Sequence, residues 1–191
     1  LEGRRVGVRS YAQTTAVWVR GILRHDCGVD PDRITWVTLE DGHVAECPDP
    51  PNCVRAAPGS RLDVMLAEGA VEAAVFGDLP SGVVPLLPDA ATDAASWRAG
   101  HGGVPVNHVL AVHAGLAELR PDILREIWRL LGHAKRGTAP PSGGADPWPQ
   151  GVEALRPMLD LFIGFALEQR LIVRPVAADA LFGPFLRAME A

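Results

Sequence analysis

Gly3-Arg4-Arg5-Val6-Gly7-Val8, followed by Tyr11-Ala12-Gln13-Thr14-Thr15-Ala16-Val17-Trp18-Val19-Arg20-Gly21, reads as a strand that runs through a polar turn into a helix. Val6 and Val8 alternate as strand residues do, and Gly7 lets a neighbour approach the backbone closely. Ser10 to Thr15 supply hydroxyl and amide groups where the helix begins. The unpaired N–H groups of a helix start and the positive end of its dipole face an incoming carboxylate or phosphate. Thr14 and Thr15 either add hydroxyl donors to such a site or, more plainly, cap the helix.

Outward from this stretch, the first helix is expected over about Thr15 to His25, with Val19, Ile22 and Leu23 on its buried face and Gly28 ending it. After a turn at Val29 to Arg33, Ile34 to Leu39 alternates as a second strand. Glu40 to Ser60 is rich in Pro, Asp and Gly and reads as loop. Leu62, Met65 and Leu66 lie at helical spacing before Gly69, and Val71 to Phe76 is a short apolar strand. Strands alternating with helices predict a parallel sheet covered by helices, in which ligands sit at the carboxyl ends of the strands. That edge is the turn from Arg9 to Thr15, and Gly77 to Ser81 is either a second wall or an ordinary turn.

Further on, Asp89 to Ala99 is a helix or connection, and Gly102-Gly103-Val104-Pro105 fixes a turn. Val106 to Val112 is expected as a strand, with Asn107 and His108 near its start. His113 lies five positions from His108 and would point to the opposite face of a regular strand, against a metal-binding pair. His101 precedes the glycine turn, and a lone histidine on an apolar strand is commonly a hydrogen-bonded structural residue. Leu119-Arg120-Pro121-Asp122 opens a helix with Ile123, Leu124, Ile127, Leu130 and Leu131 as its buried stripe. Gly137 to Pro149 reads as a linker interrupted by Pro140, Pro141, Gly143 and Gly144; Trp148 within it tacks the loop down or lids a pocket. A long helix is expected over Val152 to Gln169, burying Leu155, Leu159, Phe162, Ile163 and Ala166, and a short one over Ala177 to Phe182.

A formal charge of −5 over 191 residues, with Lys135 the only lysine, argues against a nucleic-acid surface, which needs a concentrated excess of cations. No window is long and apolar enough for a membrane span. Cys27, Cys47 and Cys53 make no CxxC and are expected as reduced thiols in a cytoplasmic protein, although Cys47 and Cys53 would close a small loop in an oxidising compartment. A secretion signal ahead of Leu1 would place the protein in the periplasm or outside the cell. GxSxG, GxxxxGK[ST] and HExxH are all absent, so serine-hydrolase, Walker and zinc-protease chemistries have no motif here.

GRRVGV followed by YAQTTAVWVRGIL resembles the second-lobe opening of the 4,5-dihydroxyphthalate decarboxylase family, whose members share the fold of type II periplasmic solute-binding proteins. Asp146-Pro147-Trp148-Pro149-Gln150-Gly151, a helix ending Glu168-Gln169, and Ala180-Leu181-Phe182 are similar to the family's closing segment in order and spacing. The resemblance implies an α/β fold with a parallel-dominated sheet and flanking helices, most of a first lobe lying ahead of Leu1. It implies a second-lobe domain over residues 1–110 and a helical segment over 111–191 that returns toward the first lobe, with a flexible loop at about 137–149.

The activity implied is that of a carbon–carbon lyase. In 4,5-dihydroxyphthalate each hydroxyl lies para to a carboxylate, so protonating the carboxylate-bearing carbon gives an intermediate whose charge the hydroxyl oxygen shares, and carbon dioxide leaves without a cofactor. Such a site needs donors for two carboxylates, an acid for the ring carbon and an acceptor for a phenolic proton. Arg9, Ser10, Tyr11, Thr14, Thr15 and Asn107 are the expected carboxylate contacts, with Arg20 joining them if it faces the cleft rather than the surface. His108, where the family has a histidine before a valine-rich strand, is the expected acid. No metal ligands are assigned, and a divalent-metal requirement stays open.

The alternative is a solute-binding protein that captures a small aromatic or aliphatic carboxylate without transforming it, as fold similarity does not separate the two. A third possibility is an interaction module or regulatory half-protein that pairs with a partner supplying the other lobe; a lone lobe with an exposed apolar cleft would self-associate as a homo-oligomer.

Overall fold

The computed structural model describes residues 1–42, 44–137, 146 and 148–190, which fall into two compact units: Leu1–Ala90 with Phe165–Val173, and Ala91–Gly164 with Arg174–Ala191. In the first unit the alternation of Val6 and Val8 becomes β1 (Arg5–Val8), which pairs in parallel with β2 (Thr35–Thr38), Val6 opposite Trp36 and Val8 opposite Thr38. β3 (Cys53–Arg55) adds to β2, and β4 (Ala73–Ala74) to the other side of β1, so the order is β3-β2-β1-β4, all parallel.

α-Helices link β1 to β2 and β3 to β4, as parallel crossovers commonly require, whereas no helix lies among the described residues between β2 and β3. α1 (Thr14–His25) packs with Val6, Val8, Ile34 and Trp36 through Ala16 and Leu23, so these residues form one continuous core. Arg24 and His25 in its last turn complement the helix dipole, and Gly28, at φ +64°, lets the Val29 N–H turn back to the Leu23 carbonyl at 2.8 Å. The opposite sheet face receives α2 (Leu62–Ala67). A side chain at Gly7 would bring its first carbon within 2.7 Å of Leu62 Cδ2, which explains the glycine between two strand valines.

Two expectations for this unit need correction. The stretch from Glu40 to Ser60 contains β3, hidden from pattern reading because its three residues follow Pro48, Pro50 and Pro51. It is registered from outside: the Asn52 carbonyl accepts from Trp36 N, while Asn52 Nδ2 donates to the carbonyls of Pro31 and Ile34. Leu23 is buried as expected, but Val19 and Ile22 are half-buried, lining an open apolar groove with Val64 and Leu66, while Ala16 and Val17 are buried instead.

The second unit is helical: α3 (Ala90–His101), α4 (Ala114–Leu119), α5 (Pro121–Arg136), α6 (Val152–Glu168) and α7 (Ala178–Glu190). Ala117, Leu124 and Ala188 form a small core with Phe185 and Met189 against it, and Trp128 meets Phe185 edge-on at 5.1 Å. Leu130 and Leu131 of the expected α5 stripe are exposed, and α7 continues past Phe182 through Pro184. Val106 to Val112 is not a strand: it has no regular structure and Leu110 is 68% exposed. Among the described residues this unit has no strand for it to pair with, and alternation without a pairing partner does not make a sheet. Trp148 is also exposed rather than packed down, with its carbonyl accepting from Lys135 Nζ at 2.6 Å; Pro140, Pro141, Gly143 and Gly144 lie outside the described residues. No helix among the described residues is long and apolar enough to cross a membrane.

The last turn of α6 belongs to the first unit, and there Phe165 lies against Gly21 of α1. The ring is fixed on two other sides, edge-on to Trp18 at 5.7 Å and stacked on His25 at 5.3 Å. A Cβ at Gly21 would stand 2.1 Å from Phe165 Cδ2. Gly21→Ala should therefore destabilise the protein by about 1–3 kcal/mol, overriding the roughly 1 kcal/mol that alanine gains over glycine inside a helix. Urea titration checks this, and Phe165→Leu in the same chain should return part of the loss.

Candidate functional site

The turn after β1 is held from beneath by its own residues. The Arg9 carbonyl accepts from Leu39 N at 3.0 Å and Glu40 N at 2.8 Å, tying it to the end of β2. Ser10, fully buried, donates its hydroxyl to the Asp41 carbonyl at 3.2 Å and accepts at its own carbonyl from Gln13 N. Tyr11 packs its ring edge-on to Trp36 at 6.5 Å. With Ser10 and Tyr11 turned inward, Arg9, Gln13 and Thr15 face a cavity of about 500 Å³.

This cavity lies at the carboxyl ends of the strands. Leu39 from the end of β2 adds to the first turn; Ser60 to Asp63 come from the start of α2, and Val75, Phe76, Gly77 and Pro80 from the segment after β4. The chain leaves β1 for β2 on one side and returns through α2 to β4 on the other. The crevice beside β1 is therefore where the strand order reverses, the position at which open parallel sheets hold ligands. Gly77 and Pro80 serve as the second wall.

Its charges are two guanidinium groups against one carboxylate. Arg9 Nε stands 3.6 Å from Glu40 Oε2, with both side chains about half exposed. Arg61 grips Asp63 with two hydrogen bonds, Nε to Oδ1 at 3.1 Å and Nη2 to Oδ2 at 2.6 Å. That pair holds the Asp63 carboxyl below the usual carboxylate range, chiefly through the side-chain hydrogen bond from Arg61. Gln13, Thr15 and Ser60 contribute neutral amide and hydroxyl groups. Gln13 is the N-cap of α1 in extended conformation, its side chain makes no capping bond and the first turn carries no acid. The threonine cap is thereby replaced: Thr14 is already the first helical residue.

Arg20 is neither on the surface nor in the cavity lining; it is 1% exposed. Its guanidinium lies 3.6 Å from the Tyr11 ring centroid and 5.4 Å from that of Trp36. Nη2 donates to the Tyr11 carbonyl and Nε to Gln169 Oε1, both at 2.7 Å, while Gln169 Nε2 donates to the Val17 carbonyl at 3.0 Å. Burial pulls the guanidinium down to about 10, opposed by the Tyr11 charge; burial likewise raises the Tyr11 phenol. Arg20 Nη1 and Thr38 Oγ1 are buried without a hydrogen-bond partner.

Asn107 and His108 belong to the second unit, exposed on the segment that lacks regular structure. Two of the other three histidines there have local tasks. His113 caps α4, its Nδ1 accepting from Gly115 N at 3.1 Å, and His101 stacks on Trp97 at 4.2 Å. Among the described residues no three His, Cys, Asp or Glu side chains gather as they would around a metal ion. Of the expected contacts, the cavity thus brings together Arg9 and Thr15. Gln13, Ser60, Arg61 and Asp63 were not among the candidates. Ser60-Arg61-Leu62-Asp63 opens a helix at the same sheet edge, a signal obscured while the preceding stretch reads as loop.

This chain is similar to 4,5-dihydroxyphthalate decarboxylase of Comamonas testosteroni, at 30% identity over 149 residues. The match covers 71% of this chain and 45% of the relative, so it spans less than half of the relative's own length. No family model matches the chain.

A lysine at position 20 keeps the charge but loses both the fork of donors and the flat face that stacks on Tyr11. Arg20→Lys should lower unfolding stability by about 2 kcal/mol, the scale of a lost charged hydrogen bond in a buried site. Chemical denaturation measures it, with near-ultraviolet circular dichroism reporting the Tyr11 and Trp36 environment.

Proposed function

We propose that this chain is part of a cofactor-independent decarboxylase of a dihydroxylated aromatic dicarboxylate, built on a type II periplasmic-binding-protein-like fold. The observation that carries this is the cavity at the strand-order reversal, in which Arg9 and Arg61 supply two cations beside the neutral donors Gln13, Thr15 and Ser60. Its volume of about 500 Å³ lies within the range of small-molecule sites and suits a single ring. The named activity of the Comamonas relative supports the chemistry. In the reaction a proton is added to the ring carbon, the carbon–carbon bond breaks and carbon dioxide leaves; no electrons are gained or lost. His108 is the proton donor in this proposal, taken from the resemblance.

Capture without chemistry is the second reading, and one observation favours it. Among the described lining residues Asp63 is the one carboxyl, and its lowered pKa keeps it ionised near neutrality, so it offers no proton there.

The deciding experiment is carbon dioxide release from 4,5-dihydroxyphthalate by the purified full chain, with a chelator-treated sample alongside. Turnover supports the lyase; no turnover together with thermal stabilisation by aromatic dicarboxylates supports the binding protein; neither effect removes both. If turnover occurs, His108→Asn should abolish it while leaving substrate affinity intact, and unchanged turnover would sink that assignment. Affinity for benzene-1,2-dicarboxylate should be level between about pH 6.5 and 8.5, because Arg61, raised by its hydrogen bond with Asp63, stays charged there and the lowered Asp63 carboxyl is already ionised. A step in the calorimetric titration over that range would mean that a group outside this lining titrates in the site.

A further inference from the structure

We infer that Arg61 is a second carboxylate anchor of this cavity and Asp63 its resident counter-ion, exchanged for the ligand's second carboxylate, so that the pocket selects dicarboxylates over monocarboxylates. This rests on the proposal that the cavity takes a carboxylate at all.

The two arginines of the lining are held differently. Arg9 meets Glu40 through one long contact of 3.6 Å, and Glu40 does not line the cavity, so the Arg9 guanidinium meets a first carboxylate with donors to spare. Arg61 is engaged by both oxygens of Asp63, which itself lines the cavity, and Asp63 is its partner among the described residues. Even so, the Arg61 side chain is 72% exposed and that of Asp63 35%. An ion pair this wet contributes little to stability, and exchanging one carboxylate for another on a guanidinium preserves the number of charge-assisted hydrogen bonds.

The consequence is a filter. A ligand with one carboxylate is satisfied at Arg9 and gains nothing by approaching Asp63, whose like charge repels it. A ligand whose second carboxylate reaches Arg61 replaces Asp63 there and keeps both of its own anions paired. Selectivity thus comes from a repulsive group that only the correct ligand can displace.

The test is calorimetric titration of the full chain with benzene-1,2-dicarboxylate and with benzoate, the latter by competition where it binds weakly. Arg61→Gln should weaken the dicarboxylate by about tenfold to a hundredfold, the scale of a lost charge-assisted contact, and change benzoate by less than about threefold. Asp63→Asn should tighten the dicarboxylate and narrow the preference over benzoate by also relieving the repulsion. Since Arg61 is a rim side chain, both variants should fold, which circular dichroism verifies. Equal weakening of both ligands by Arg61→Gln, or weakening of neither, would overturn the inference while leaving the carboxylate site standing. Binding of neither ligand by the unaltered chain would remove the carboxylate site and this inference with it.

Discussion

Arg20 lies at the centre of the first unit. A guanidinium taken out of water must find donors' acceptors and a polarisable face, and here it finds the Tyr11 carbonyl, the Tyr11 and Trp36 rings and the Gln169 side chain. Each of those partners sets a different part of the structure. Tyr11 shapes the turn after β1, Trp36 belongs to the next strand, and Gln169 ties the Phe165–Val173 segment of this unit to α1 through its second bond to Val17. A cation that looks like a ligand contact in a one-dimensional reading is, in three dimensions, what keeps the turn in place for other residues to use.

The turn illustrates a division between residues that face a site and residues that make it possible. Ser10 and Tyr11 point inward, the Ser10 hydroxyl donating to the Asp41 carbonyl and the Tyr11 carbonyl accepting from the Arg20 guanidinium, while Arg9, Gln13 and Thr15 line the cavity. The two groups alternate within a few positions, so composition alone could mark the stretch but not sort it. Gly7 belongs with the first group: by having no side chain it lets Leu62 close over the sheet, and α2 then begins at the cavity's edge.

How much was legible follows from the same physics. β1, α1, β2, α2 and the parallel arrangement were readable because each carries enough apolar periodicity to state its own structure. β3 was not, since three residues after a proline cluster take their conformation from β2 and Asn52 rather than from their own pattern. Val106 to Val112 failed in the opposite sense, having a strand's composition and no strand to pair with among the described residues of its unit. For the candidate site, topology pointed to the sheet edge where the cavity lies, and of the expected contacts Arg9 and Thr15 line it. Arg61 and Asp63 needed the third dimension, because their part depends on where α2 starts relative to strands far away in sequence.

The bond between Arg20 and Gln169 spans 149 residues of chain. Synthesis proceeds from the amino terminus, so β1, α1 and β2 leave the ribosome long before Gln169 exists, and throughout that interval the Arg20 cation has no side-chain acceptor to bury against. Closing so long a loop is entropically costly and slows folding relative to local contacts. The nascent first unit therefore lacks this closure, with Gly21 bare of Phe165, until the Phe165–Val173 segment has been made.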